Sequence, residues 1–297
     1  MNVDFQTYLK RSAHTESTIE SYSKIVDKFL LWCNQKGYQI ETINYNKCTE
    51  YIRFLKNQKR GLKDRSIQHY IGVVRQYFNF LVAEEYILLN PIPKDMYHAD
   101  RDYHHDFLSQ VELEELYYDF KTQNLEFPNC KSAAIRNKVV TGLIVFQGLS
   151  SRDIKNLKVE HIDLERSEIS VPGTKKTNSR KLKLESCQIY TLIKYLQQDI
   201  YILQKKINNY SEALFPRKGN RISSITSQVA KKLKHINLKV TGLNQLRASV
   251  ITIWVTKHDL RKVQIMAGHK YISTTEKYKR NDLRELEEEL EMYHPVQ

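Results

Sequence analysis

The stretch AGHKYISTTEKYK, Ala267 to Lys279, holds a Gly-His pair, a polar run and a tyrosine among lysines. A tyrosine hydroxyl becomes a nucleophile when its phenolate is favoured. The chain has 19 tyrosines, so Tyr278 needs surroundings that set it apart. Lys277, Lys279 and Arg280 flank it. These cations are expected to place positive potential around its hydroxyl, favouring the phenolate and attracting a phosphodiester. Upstream, Arg247 stands in LNQLRASVITIW. An arginine fixed at the start of a packed helix offers a planar fork of donors to a phosphate. Taken singly, each residue has a bland reading: a surface arginine, a structural histidine at His269, one more aromatic on a helix.

The elements around these residues must position them. Leu246, Val250, Ile253 and Trp254 recur at helical spacing, so a helix over 244–257 carries Arg247 near its start. Asp259 is placed to cap a short helix that stops at Gly268, with His269 just beyond. Ser273 to Glu276 reads as a capping box, which puts Tyr278 in the second turn of a new helix. Further upstream, Ile169 and Val171 alternate with polar residues, as do Leu182 and Leu184. GTKKTNS lies between them, so the pattern predicts a hairpin whose turn bears Lys175 and Lys176.

The remaining pattern is helical. Only 9 Gly and 6 Pro punctuate 297 residues. The expected helices run over 16–36, from about Lys47 to Gln58, and from about Ser66 to Tyr86. Ile67, Ile71, Val74, Phe78 and Leu81 form the inner face of the third, with Gln68, His69 and Arg75 opposite. The lead-in KNQKRGLKDR adds Lys63 and Arg65. A cluster of cations beside a polar helix face suits phosphate contact, with the helix in a DNA groove. Residues 1–90 therefore form a helical domain, 91–106 a linker with two prolines, and 107–297 a second domain. Its later helices fall near 188–206 and 223–236. The fold class is mainly α with a small β-hairpin.

The net charge of +13 indicates a polyanionic partner, nucleic acid first. Cys33, Cys48, Cys130 and Cys187 are scattered without metal-ligand spacing, which fits reduced thiols in a cytosol-like compartment. No apolar run reaches membrane-spanning length, and the N-terminus lacks a signal-peptide core. The neighbouring His104 and His105 point in different directions and lack further ligands, so no metal site is expected. Leu283, Leu286, Leu290 and Tyr293 form a stripe in an acidic tail, suited to a final helix on its own domain or on a neighbouring protomer.

Arg247, Gly268-His269 and Tyr278, in that order and with Tyr278 nine positions after His269, resemble the tyrosine recombinases of the phage integrase family. The resemblance covers nearly the whole chain. It implies an N-terminal SAM-like helical domain, a linker and a catalytic domain with a lysine-bearing hairpin. It implies site-specific strand exchange through a 3′-phosphotyrosine intermediate, with release of a 5′-hydroxyl. The implied partner is a double-stranded DNA recombination site, on which a homotetramer assembles in the cytoplasm, associated with the nucleoid. No cofactor or metal is implied, because the covalent intermediate keeps the bond energy.

By the same resemblance Tyr278 is the nucleophile, His269 a phosphate hydrogen-bond donor, and Arg247 the second arginine. Lys175 matches the lysine that protonates the leaving oxygen, with Lys176 its rival. Two positions depart from the pattern. Gly148-Leu149 is followed by Ser150 where the family carries its first arginine, although Asp153 keeps the acid three residues on. Arg152 is two positions further, about 200° around a helix, and would have to reach back to substitute. Asn244 replaces the histidine of the usual His-x-x-Arg box; it can bond a phosphate but cannot exchange protons near neutral pH. The alternative is a catalytically impaired DNA-binding protein on this scaffold, regulating a mobile element. An enzyme related to type IB topoisomerases would share the chemistry without pairing two sites.

Overall fold

The computed structural model describes residues 2–57, 61–99, 106–122, 128–217, 219 and 222–279. His104, His105, Arg280 and the apolar stripe of the tail lie outside the described residues. The chain divides into two compact units, Met1–Asp102 and Tyr103–Gln297. It is mainly helical with one three-stranded antiparallel sheet.

The first unit contains α1 (Asn2–Arg11), α2 (Glu16–Gln35), α3 (Tyr45–Lys56) and α4 (Asp64–Ala83). The apolar periodicity places the last three to within three residues at each end and does not reveal α1. The core of this unit is aromatic: Phe29 meets Tyr51 edge-on at 4.9 Å and Phe78 at 5.7 Å. Each such ring, fully buried, contributes roughly 1.5–3 kcal/mol of transfer free energy. Asn44, just before α3, accepts from the backbone N–H of Lys47, satisfying one orphan donor of the first turn. The irregular segment after α4 packs back on this unit through buried Ile92, with Met96 and Tyr97 against the same core.

The second unit is built around α6 (Pro128–Val145), whose Val139, Val140, Leu143 and Ile144 are all buried. Before it lies α5 (Gln110–Tyr118), opened by a capping box of Ser109 and Glu112. After it comes the short α7 (Ser151–Asn156), then β1 (Ile162–Asp163), β2 (Glu168–Val171) and β3 (Arg180–Lys183). Ile169 pairs with Leu182 and Val171 with Arg180, so the expected hairpin is present, with β1 added at its edge. Next are α8 (Ser186–Lys194) and α9 (Ile200–Ile207), joined through one π-helical turn over Tyr195–Asp199. α10 (Ser223–Ile236), α11 (Leu243–Lys257) and α12 (Leu260–Ala267) follow, and residues 272–279 are helical. Among the described residues no helix is long and apolar enough to cross a membrane.

Candidate active site

One buried carboxylate organises the site. Asp153, in the first turn of α7, is 2% exposed. Its Oδ2 accepts from the backbone N–H of Ser150 at 2.9 Å and from the Ser150 hydroxyl at 2.7 Å. The Ser150 Oγ in turn accepts from the Asp153 N–H, completing a capping box. Ser150 thus spends its side chain on the start of α7. The same Oδ2 accepts from Arg180 Nη2 at 3.1 Å and lies 3.7 Å from Arg247 Nη1. Burial works against ionisation of Asp153, but Arg180 and the Ser150 donors outweigh it and hold the carboxyl below its usual range.

Arg247 sits on the second turn of α11 and is tied on both sides. Its Nη1 donates to the Gly148 carbonyl, and its Nη2 donates to the Ala267 carbonyl at 2.8 Å. Those acceptors lie just past α6 and at the end of α12, so the guanidinium links three helices. Gly148 adopts φ +58°, and a Cβ there would press on Val250 at 3.2 Å. The chain turns sharply at that point and presents its carbonyl to Arg247. Burial draws the guanidinium below its ordinary value, opposed by Asp153; an arginine remains a cation all the same.

α12 is capped at both ends as its sequence predicts. Asp259 accepts from the Lys262 N–H at its start, and Gly268, at φ +71°, closes its end. The Gln264 amide donates to the carbonyls of His269 and Lys270 at 3.1 Å each, fixing the turn that follows. His269 is 8% exposed. Its Nδ1 lies 3.0 Å from the Thr275 hydroxyl, and its ring stacks on Tyr278 with centroids 6.0 Å apart. Burial, then the charges of Arg247 and Arg180, push the imidazole down to about 4. The ring is neutral near pH 7 and acts as a hydrogen-bonding group, not a cation.

Two expectations about this segment need correction. The helix bearing Tyr278 starts at residue 272, so Ser273 and Glu276 do not form its capping box, and the Thr275 hydroxyl meets His269 instead. Tyr278 is raised, not lowered, by its surroundings: burial pushes the phenol up and Arg247 only partly opposes it. Lys277 and Lys279 are exposed. Helix neighbours one position away point about 100° from Tyr278, so flanking charges do not gather at its hydroxyl.

The hairpin between β2 and β3 reaches the same segment. Thr177 pairs with His269 across an isolated bridge, and the Asn178 N–H donates to the Gly268 carbonyl at 2.9 Å. Lys175 and Lys176 occupy the exposed two-residue turn closed by Thr174 and Thr177. Their ammonium groups have no partner among the described residues. Asn244 is exposed one turn before Arg247, and Arg152 is exposed on α7 without an ion pair among the described residues. The structure thus brings Arg247, His269 and Tyr278 together, with the hairpin tip beside them and Arg152 turned outward.

In the first unit, Lys63 and Arg65 are exposed at the start of α4, and Gln68 is half-buried. His69 is exposed, with its ring 5.9 Å from that of Tyr22. Arg75 is engaged: its Nε donates to the Ile92 carbonyl at 3.0 Å and holds the segment after α4. Among the described residues no group of three or more His, Cys, Asp or Glu is arranged to hold a metal ion.

Sequence reasoning passes over Arg180 and Thr275. Arg180 has a signal: it precedes Leu182 and Leu184 at period two and so shares their inward face. An arginine at a core-facing position of a strand requires a buried partner, here Asp153. Thr275 has none, since its burial follows only from where the turn at Gly268 sends the chain.

Comparisons with known proteins give the class. Residues 106–285 match the profile of the phage integrase family, and residues 3–85 match the phage integrase N-terminal SAM-like domain. The chain belongs to the phage integrase family. Among its relatives are the tyrosine recombinase XerC of Staphylococcus epidermidis, 24% identical over 89% of this chain and 86% of the relative, and the tyrosine recombinase XerA of Pyrococcus horikoshii, 26% identical over 97% and 91%. In fold it is similar to the XerH site-specific recombinase bound to a palindromic difH substrate, with a TM-score of 0.71 at 19% identity over 93% of this chain and 80% of that one. The Tn1549 transposon integrase in complex with a circular intermediate DNA gives 0.64 at 14% identity over 96% and 98%.

Proposed function

We propose that this protein is a site-specific DNA recombinase that cleaves and rejoins strands through a 3′-phosphotyrosine link formed by Tyr278. The observation that carries this reading is the convergence of Arg247, neutral His269 and Tyr278, from three separate elements, with Arg247 itself held beside one buried acid. In the proposed reaction Arg247 binds the non-bridging oxygens of the scissile phosphate, where charge builds in the transition state. His269 adds a neutral hydrogen bond. Tyr278, whose phenol burial raises, gives its proton to water as its oxygen bonds to phosphorus, and the bond from phosphorus to the 5′ oxygen breaks. Lys175 at the hairpin tip protonates that leaving oxygen, with Lys176 the other lysine of the turn, and Asn244 bonds the phosphate from the α11 side. Attack by a 5′-hydroxyl reverses the sequence.

Residues 1–90 form the DNA-binding domain, 91–106 the linker and 107–297 the catalytic domain. Lys63, Arg65, Gln68 and His69 are the proposed groove and phosphate contacts, supported by the net charge of +13. The DNA-bound proteins of similar fold support a duplex partner, and a lambda integrase dimer bound to a core site, also similar in fold, supports assembly of more than one copy on it, which we take to be four, in a nucleoid-associated protein. Ser150 as a helix cap is the feature that favours the second reading, an impaired DNA-binding regulator.

The test is a nicked duplex carrying the cognate site. Wild-type protein should give a protease-sensitive covalent adduct, and Tyr278→Phe, which keeps the ring, should give none. Absence of an adduct with wild type would select the regulator.

A further inference from the structure

The arginine missing at Ser150 leaves a question of charge. Arg247 beside ionised Asp153 sums to zero, and a neutral pair has little hold on a phosphate dianion in the making. Arg180 enters from the other side of the carboxylate, 3.1 Å away, nearer than Arg247 at 3.7 Å. Its side chain is 1% exposed. Its Nε and Nη1 are buried and have no hydrogen-bond partner among the described residues. A Cβ on Gly268 would fall 2.6 Å from Nη1 and 3.1 Å from Cζ, so the guanidinium lies against the backbone just before His269. Its charge acts on both Arg247 and His269.

We propose that Arg180 is a positioning residue that takes over the charge role of the arginine absent at Ser150: it neutralises Asp153 from below and leaves the positive charge of Arg247 uncompensated for the phosphate. With both arginines and the one acid, the cluster carries a net positive charge. Arg180 is too deeply buried to touch DNA, so it works through Asp153 and Arg247. Gly268 serves the same arrangement, since only a residue without a Cβ lets the guanidinium lie so close. This inference rests on the strand-cleaving reading above and adds the residue that compensates for Ser150.

The experiment compares Arg180→Met, Arg180→Lys and the double variant Arg180→Met with Asp153→Asn. Arg180→Met should lower the rate of adduct formation on the nicked duplex by about 10²-fold, in the range seen on losing one charge-stabilising donor. Arg180→Lys should keep the rate within about tenfold of wild type, because an ammonium still neutralises the acid. The double variant removes acid and base together, restores the net charge, and should recover most of the lost rate. A double variant as slow as Arg180→Met overturns the proposal, as does an unimpaired Arg180→Met. Removing one partner of a buried pair destabilises a fold more than removing both; if Arg180→Met does not fold, the double variant and Arg180→Lys decide. A DNA-free readout separates this inference from the cleavage reading. The His269 ring, titrated by NMR, should move upward in Arg180→Met and by less in Arg180→Lys, while the double variant, which loses the opposite charge of Asp153 as well, should move it little; no movement in Arg180→Met overturns the shared field even if wild type forms no adduct.

Discussion

The cluster around Asp153 and the tip of the β2–β3 hairpin sit side by side and are built in opposite ways. In the cluster the charged groups are engaged, Asp153 and Arg180 fully buried and Arg247 mostly so: Asp153 with Ser150 and Arg180, Arg247 with two carbonyls. At the tip Lys175 and Lys176 are exposed, on a turn closed by Thr174 and Thr177 and joined to the backbone of Gly268 and His269. The difference follows from the work each must do. Charge stabilisation gains from groups fixed in advance in a low-dielectric site, where nothing needs to reorganise during reaction. Proton delivery needs a group that reaches the leaving oxygen only when substrate is present, and a flexible ammonium on a short turn can do so.

Breaking the fixed half should have the larger effect. Arg247→Ala removes the donors aimed at the phosphate and also leaves Asp153 with one fewer cation. Adduct formation should fall by about 10³-fold, with binding to the same duplex changed much less, because the transition state carries more charge on those oxygens than the ground state does. Parallel loss of binding and cleavage would mean that Arg247 holds the fold and not the transition state.

The exposed half should be more forgiving, and its chemistry offers a sharper test. Lys175→Ala should slow cleavage by about 10²-fold, the lower range for loss of a general acid. A substrate with sulfur in place of the 5′ bridging oxygen has a leaving group that needs no proton, so Lys175→Ala should recover on it. Recovery by Lys176→Ala in place of Lys175→Ala would reassign the role within the turn.

How far these two halves were legible in the sequence differs for the same reason. The helices and the hairpin are written in local periodicity, and Asp259 and Gly268 in local capping chemistry, so they can be read from neighbours. Tyr278 and Arg247 are legible through their motif. The electrostatics are not local. Three cations beside Tyr278 in sequence suggest a lowered phenol, yet burial raises it and Arg247 only partly opposes that. Arg180 lies 27 residues from Asp153 in the chain, and only the hairpin register brings them together. Pair partners across elements are set by tertiary packing, which no single-segment pattern records.

Within the fixed half, His269 gives a smaller and pH-dependent effect. Its folded value of about 4 lies below the 6.5 of an unperturbed histidine. Between these values the unfolded chain binds the proton and the folded chain does not, so this residue makes stability rise with pH from about 4 to 6.5 and level off above. His269→Gln should flatten that rise, reducing the difference in unfolding free energy between pH 5 and pH 7 by on the order of 1 kcal/mol. Denaturant unfolding at the two pH values measures it. An unchanged difference would place the imidazole in contact with water and remove the neutral hydrogen-bonding role assigned to it.

The smallest effect belongs to the first unit, and it extends the contrast between engaged and free cations to DNA binding. Arg75 is committed to the Ile92 carbonyl, whereas Lys63 and Arg65 stand exposed at the start of α4. If the free cations meet phosphates, Lys63→Ala and Arg65→Ala should each reduce the slope of log binding constant against log salt by about 0.9, the release expected per neutralised phosphate. Cleavage of bound substrate should be unaffected, because neither side chain belongs to the cluster around Asp153. A slope unchanged in both variants would move the DNA-facing surface of this unit away from the start of α4, and the fixed contact of Arg75 would then have to be tested for a role beyond holding the chain.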